Sequence, residues 1–331
     1  MDISCAFPTT LRSPEDIVIA EELGFARAWL YDTPQQSPDV WMVLGLAASL
    51  TTRIGLGPGV LVPSLRHPMV NAAATATLAA LAPGRVAVGF GTGFSGRRAM
   101  GYPGLTMRYM SDYVRAFRGL LAGEVVEWEG ARMSMLHPDG SAPARPVEVP
   151  VVFGVHGPRG GEVAAEHGDG LLLSLEPLPP YTTDYAWAAM LAWGTVLEED
   201  EPTGSEHARA AAGPGWALTY HATYEFGGLD AVRDLVGGDV WADAIAATAE
   251  SDRHLRVHDQ HCVRLNPADA LAWESGAHAM LREWTVSGTR TEVRARVARL
   301  RDQGITEFVL QPCGDDVRGE LERFKEATDG L

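Results

Sequence analysis

The chain has 331 residues, 46% of them apolar, which is enough for one large core or at most two domains of ordinary size. Its formal charge of −16 repels phosphate backbones and argues against nucleic acid as a partner. Lysine occurs once, at Lys325 near the C-terminus, so P-loop and Schiff-base chemistry lack the amine they need.

The first half alternates short apolar runs with helical patterns. Residues 3–7 read as a strand, and Ser13-Pro14-Glu15-Asp16 opens a helix that Gly24 stops. A strand at 28–31 and a helix at 39–50 follow, then a strand within 53–62 and an Ala-rich helix over 68–81. The fourth unit is a strand at 86–91 with a helix at 110–121. Strands apolar on both faces predict a parallel sheet covered by helices. Residues 124–148 break the rhythm, and alternation around Glu129-Gly130 predicts a hairpin insertion. The rhythm resumes with a strand at 149–154, a helix at 159–167, a strand at 170–175 and a helix around 185–197.

A seventh strand is expected at 216–224, followed by a mostly helical insertion over 228–286. The last helix is marked by capping-box spacing at Thr289 and Glu292, a stripe of Val293, Val297 and Leu300, and Gly304 as its stop. Strand eight then spans 305–311. Eight strands alternating with helices in one domain, 1–331, predict a (β/α)8 TIM barrel rather than a doubly wound open sheet. The insertion should leave from the C-terminal rim and cover the mouth.

Three scattered cysteines, Cys5, Cys262 and Cys313, suggest no disulfide framework. The longest apolar run, 41–50, is half the roughly 20 residues a membrane span needs, and the N-terminus has no basic leader. The expectation is a cytoplasmic protein in a reducing compartment, with no membrane association.

Gly91-Thr92-Gly93-Phe94-Ser95-Gly96 fits G-x-G-x-x-G, but it follows the fourth strand, and Pro103-Gly104 stand where a helix should run. It is either a flexible turn or a backbone nest that receives a ligand phosphate. Gly55, Gly57 and Gly59 within one strand mark a bulge or a close approach, such as a flat ring pressed on the strand end. His254, His258 and His261 fall at i, i+4 and i+7, one face of a helix. That face could be structural, could bind zinc, or could open into a substrate pocket together with His221 and Tyr224. Arg97 could bind an anionic group or be solvated. His258 and His261 are the nominees for proton transfer, since imidazole titrates near neutrality. No metal is expected.

Several stretches together resemble one family. They are Tyr31-Asp32, Thr52 through Val60, Arg66-His67-Pro68, Ala76-Thr77-Leu78, Pro83 through Val86, Gly89 through Gly93, Val151 through Gly170, and Ser287 through Leu310. They are similar to the bacterial luciferase-like family of flavin- and deazaflavin-dependent oxidoreductases, over about 1–176 and 287–312. The resemblance implies a barrel with coenzyme F420, or alternatively FMN, across its mouth. It also implies a small-molecule substrate and a homodimer. Carried over by position, Asp32 lies beside the ring, and Gly59-Val60 matches a bulge, often a non-prolyl cis peptide, behind it. Thr92 and Gly93 match the ribityl-phosphate loop, and Val155-His156-Gly157-Pro158 a second phosphate-side loop. Thr33 and Phe94 replace the histidine and glutamate of the family's sugar-phosphate dehydrogenases, so that substrate and that acid/base pair are not supported. The implied reaction moves a hydride between F420 and an organic substrate. The rivals are an FMN-dependent monooxygenase and, from another class, a non-catalytic or zinc-binding barrel.

Overall fold

The computed structural model describes residues 1–331. Strands β1 (Asp2–Phe7), β2 (Arg27–Leu30), β3 (Gly55–Pro58) and β4 (Val88–Gly91) form the first half of a parallel sheet. The hairpin strands β5 (Val126–Trp128) and β6 (Ala131–Met133) stand apart as an antiparallel pair turning at Glu129-Gly130. Then β7 (Val151–Gly154), β8 (Gly170–Leu173), β9 (Ala188–Trp193) and β10 (Glu307–Gln311) complete the sheet in the order β3-β2-β1-β10-β9-β8-β7-β4. Bridges Leu56–Val86 and Leu61–Phe90 join β3 to β4 and close the barrel. The fold is therefore a TIM-barrel-like α/β fold.

Helices α1 (Ser13–Glu22), α2 (Val40–Leu50), α3 (Pro68–Leu81), the one-turn α4 (Phe94–Arg98), α5 (Met107–Ala122) and α6 (Pro158–His167) surround the first six barrel strands. The Asp39 carboxylate caps α2 by accepting from the backbone N–H groups of Trp41 and Met42. An insertion of α7 (Glu206–Arg233), α8 (Gly238–Ala246), α9 (Arg253–Val257), α10 (Pro267–Glu274) and α11 (Leu281–Trp284) follows β9. Helices α12 (Arg290–Asp302) and α13 (Val317–Thr328) finish the chain, α12 with both halves of the Thr289–Glu292 capping box in place.

The main core lies between strands and helices. A second one fills the insertion, built on Trp216, Tyr220, Trp241 and Trp273. A third fills the barrel with Ala6, Trp29, Ala87, Val152, Leu172 and Val309. At its lower end Glu307 accepts from the indole N–H groups of Trp29 (3.3 Å) and Trp187 (2.5 Å), and the Arg27 guanidinium lies over both rings. The floor is thus plugged by side chains.

Two expected elements are corrected. Residues 188–193 form strand β9, not a helix: its first five residues are buried between β8 and β10, and burial on both faces overrides the helix-forming Ala, Met and Leu. Only a 3-10 turn, Thr182–Asp184, precedes it. Residues 216–224 lie inside α7, not in a strand, with Trp216, Ala217, Tyr220 and His221 sharing its buried face. The helical insertion consequently starts at Glu206 rather than at 228. No helix is long and apolar enough to cross a membrane.

Candidate active site at the barrel mouth

The strand ends nearest the mouth are assembled from glycines around one valine. The Gly59–Val60 peptide is cis. A Cβ built on Gly91 would lie 2.5 Å from a Val60 methyl, one on Gly89 3.0 Å, and one on Gly154 3.4 Å. Gly91, and more weakly Gly89, on β4 therefore make room for Val60, whereas a Cβ on Gly154 of β7 would be in ordinary contact with it. The close approach at Gly57 and Gly59 also has a protein partner: Cβ atoms there would meet the Trp29 ring at 3.0 and 2.9 Å. The sequence suggests a ligand ring pressed against this strand; at Gly59 the ring is the Trp29 indole, while at Gly57 the tightest neighbour is the Ala87 carbonyl oxygen, 2.1 Å from a Cβ there.

Asp32 follows β2 and is 2% exposed. Both its oxygens accept from Arg66 Nη1 at 2.7 Å, and Arg66 Nη2 donates to Asp39 at 2.7 Å. Burial raises the Asp32 carboxyl above the usual carboxylate range against the pull of Arg66. Thr92 is half-buried, and Gly93 takes a left-handed conformation (φ 84°) that turns the chain into α4. A short helix thus begins directly after the glycines, where none is expected from sequence. Val155 is buried, and half-buried His156 receives a long bond from the Ser174 N–H (3.4 Å). Gly157 and Pro158 open α6 with no capping side chain, and a Cβ on Gly157 would meet nothing within 4 Å. That uncapped N-terminus presents positive dipole to open space.

The insertion brings a cluster of titratable groups to the same end. His221 lies 2.8 Å from His261, Nδ1 to Nδ1, and its Nε2 faces the Asp269 carboxylate at 3.1 Å. His261 Nε2 is 2.8 Å from Ser95 Oγ. His258 Nε2 pairs with Glu225 at 2.8 Å, and Arg98 binds the other oxygen of Glu225 at 2.8 Å. Burial lowers the proton affinity of both His258 and His261. No three His, Cys, Asp or Glu side chains converge on a point that could hold a metal ion.

The three histidines expected on one helical face are not on one. Helix α9 ends at Val257, because Gln260 and Cys262 adopt positive φ (58° and 64°) and turn the chain. His258 and His261 are buried together, whereas His254 stands over Gly101. His221 is 1% exposed and reaches the mouth only through His261. Tyr224 is half-buried near Trp241 (6.0 Å between ring centres). Arg97 folds back to donate to Ser64 Oγ and the Pro103 carbonyl. Glu225 and Asp269 carry no motif in the sequence, and Ser95 falls inside the Gly91–Gly96 glycine run without its hydroxyl standing out; in the structure Asp269 forms the capping box of α10 with Asn266.

Several polar atoms around the mouth are buried without a partner: Tyr31 Oη, Trp193 Nε1, Gln311 Oε1 and His258 Nδ1. Such atoms cost free energy unless a ligand or water completes them. With Gly59 against the Trp29 ring and the open N-terminus of α6, these residues fit a flat, hydrogen-bonding ligand with an anionic tail.

Comparison with known proteins agrees. The profile of the luciferase-like monooxygenase family matches residues 14–192. An F420-dependent glucose-6-phosphate dehydrogenase of Beutenbergia cavernae is 30% identical over 95% of this chain and 92% of its own length. A 5,10-methylenetetrahydromethanopterin reductase of Methanolobus tindarius is 27% identical over 89% of each chain. Among solved structures, the coenzyme F420-dependent tetrahydromethanopterin reductase of Methanopyrus kandleri superposes with a TM-score of 0.68 at 19% identity, covering 98% of this chain and 97% of that one. At that identity the superposition shows the shared fold.

Proposed function

This chain belongs to the luciferase-like monooxygenase family, and from that premise we propose that it is an oxidoreductase transferring a hydride between coenzyme F420 and an organic substrate. The reading is carried by the end-to-end likeness to an F420-dependent dehydrogenase. When bound, the deazaflavin supplies the carbon that gives or takes the hydride. The ring would lie over Gly59-Val60, beside Asp32, whose carboxylate Arg66 holds in place. The phosphate side would meet the backbone at Thr92-Gly93 and Val155-His156-Gly157-Pro158, with the α6 dipole favouring its charge. His258, His261, His221 and Tyr224 come from the insertion and would shape the substrate side, with Arg97 at the edge.

By the family resemblance, Thr33 and Phe94 stand where sugar-phosphate dehydrogenases carry their histidine and glutamate, so glucose 6-phosphate is not supported as the substrate. The test is to titrate the purified protein with F420 and with FMN separately, following cofactor fluorescence. F420 should bind at least tenfold more tightly, a difference of about 1.4 kcal/mol. Tighter FMN binding would replace this reading with the monooxygenase one. A homodimer is proposed with it, supported by the exposed apolar row Met42, Leu46 and Leu50 along α2.

A further inference from the structure

Ser95 is the second residue of α4, half-buried at the mouth, and a line of buried side chains runs inward from its hydroxyl. Ser95 Oγ lies 2.8 Å from His261 Nε2, His261 Nδ1 lies 2.8 Å from His221 Nδ1, and His221 Nε2 lies 3.1 Å from Asp269. The chemistry of the inner end sets the direction of every bond. Asp269 is fully buried and already accepts from the Trp241 indole (2.8 Å) and the Asn266 backbone N–H (3.1 Å). A carboxylate only accepts, so His221 must carry its proton on Nε2. Its Nδ1 is then an acceptor, which places the His261 proton on Nδ1 and leaves His261 Nε2 bare. Only the Ser95 O–H can fill it. The Asn266 amide, 3.5 Å from His221 Nε2, does not compete: its two hydrogens go to the carbonyls of Arg256 and Val257 at 3.2 Å each. His258 stands outside the line, tied to Glu225.

We propose that Ser95 is the proton-transfer residue of this enzyme, and that His261, His221 and Asp269 are the relay that draws its proton inward. The proposal rests on the hydride-transfer reading above. In the oxidative direction a substrate carbon gives its hydrogen and both electrons to the deazaflavin. The neighbouring O–H or N–H gives its proton to Ser95 Oγ as the serine's own proton passes to His261 Nε2. The substrate gains a double bond and is oxidised by two electrons; the deazaflavin is reduced by two. The His261 Nδ1 proton moves on to His221, so the positive charge comes to rest against the Asp269 carboxylate, where an ion pair stabilises it. The reductive direction runs the same steps backwards. Burial keeps the resting His261 ring neutral, with Nε2 bare, and the relay hands the proton it takes up on to His221 so that His261 does not itself hold the charge.

Two measurements without cofactor test the relay. The first is nuclear magnetic resonance of isotopically labelled histidine rings: His261 should carry its proton on Nδ1 and His221 on Nε2. A His261 proton found on Nε2 makes Ser95 an acceptor and overturns the proposal. The second uses diisopropyl fluorophosphate, whose P–F bond breaks as Ser95 Oγ bonds to phosphorus, with the proton passing to His261 and fluoride leaving. Mass spectrometry should find the adduct on Ser95, formed at least tenfold more slowly in His261→Ala and absent in Ser95→Ala. Labelling of Ser95 at the same rate in His261→Ala, or no labelling of Ser95 at all, overturns it. Both results are independent of F420 affinity, so a failed relay leaves the cofactor reading intact. An intact relay in a protein that does not bind F420 sinks its assignment to hydride transfer.

Discussion

The two sides of the mouth are built by opposite means. The strand-end rim within residues 1–176 works through backbone: glycines at 89, 91, 93 and 157, a cis peptide at Gly59–Val60 and an uncapped helix end. The insertion from Glu206 to Trp284 works through side chains, with four aromatic residues packed at its centre and His221, His258, His261, Glu225 and Asp269 paired in its interior. A backbone surface suits whatever part of a ligand stays the same, because it offers N–H groups and shape and little else. A side-chain surface can be rebuilt residue by residue, so it suits the part that varies.

The comparison breaks most visibly if the insertion has no core of its own. Trp216 is fully buried against Trp273 (5.1 Å between ring centres) and donates to the Ala277 carbonyl. Trp216→Ala should cost about 3–5 kcal/mol by chemical denaturation; a loss below about 1 kcal/mol would mean that the insertion is held by the barrel alone. On the rim side, a Cβ at Gly93 would lie 2.7 Å from Val62 and 2.8 Å from Arg97, at a φ only glycine favours. Gly93→Val should weaken F420 binding at least tenfold, about 1.4 kcal/mol, in a protein that still folds. Unchanged affinity would remove Gly93 from the phosphate loop.

Protons sharpen the contrast, because the rim has few groups to titrate and the insertion has many. His258 and His261 are held below the ordinary value of 6.5 by burial. The unfolded chain takes up protons that the folded one refuses, so stability should fall as pH drops below 6.5. A melting temperature flat from neutrality into acid would contradict their buried, neutral state. His207 behaves in the reverse sense. Its hydrogen bonds to Glu320 and then Glu201 push it up to about 9, and it ties α7 to α13. Its contribution is complete below 6.5 and lost as pH rises through about 9, so the gap in melting temperature between wild type and His207→Gln should close in that window. The smallest effect on stability is expected from Leu46→Glu on the exposed row of α2, within about 0.5 kcal/mol. Sedimentation should nevertheless show a dimer for the wild type and a monomer for this variant.

The same contrast explains what the sequence made legible. Elements whose signals are local come out where expected: α3 spans Pro68–Leu81 as its Ala-rich pattern indicates, and α12 carries its capping box. Elements decided by tertiary burial do not. β9 looks helical until β8 and β10 enclose it, and α7 looks like a strand because Trp, Tyr and Thr cluster within it. At the mouth, the rim residues fall in runs of fixed spacing and can be named from a single stretch of chain. The line from Ser95 through His261 and His221 to Asp269 spans separations of 166, 40 and 48 residues, and no local pattern encodes it. His258 and His261 are visible as a pair, but the turn at Gln260 and Cys262 that points them inward is set by backbone conformations that neither residue type advertises.

Val60 and Gly91 also constrain how this barrel can change over generations. Adding a methyl group at Gly91 meets a Val60 methyl at 2.5 Å, so the change is harmful while the valine is present. Once Val60 has become glycine, the same methyl group would fill the space the valine leaves. Alanine at 91 should therefore reverse its effect between the two backgrounds, damaging one and repairing the other. Lineages can pass from this arrangement to its mirror, with the bulk on β4 and none at position 60, only by losing the valine first. The order of substitutions is written into the packing, and the reverse order is closed.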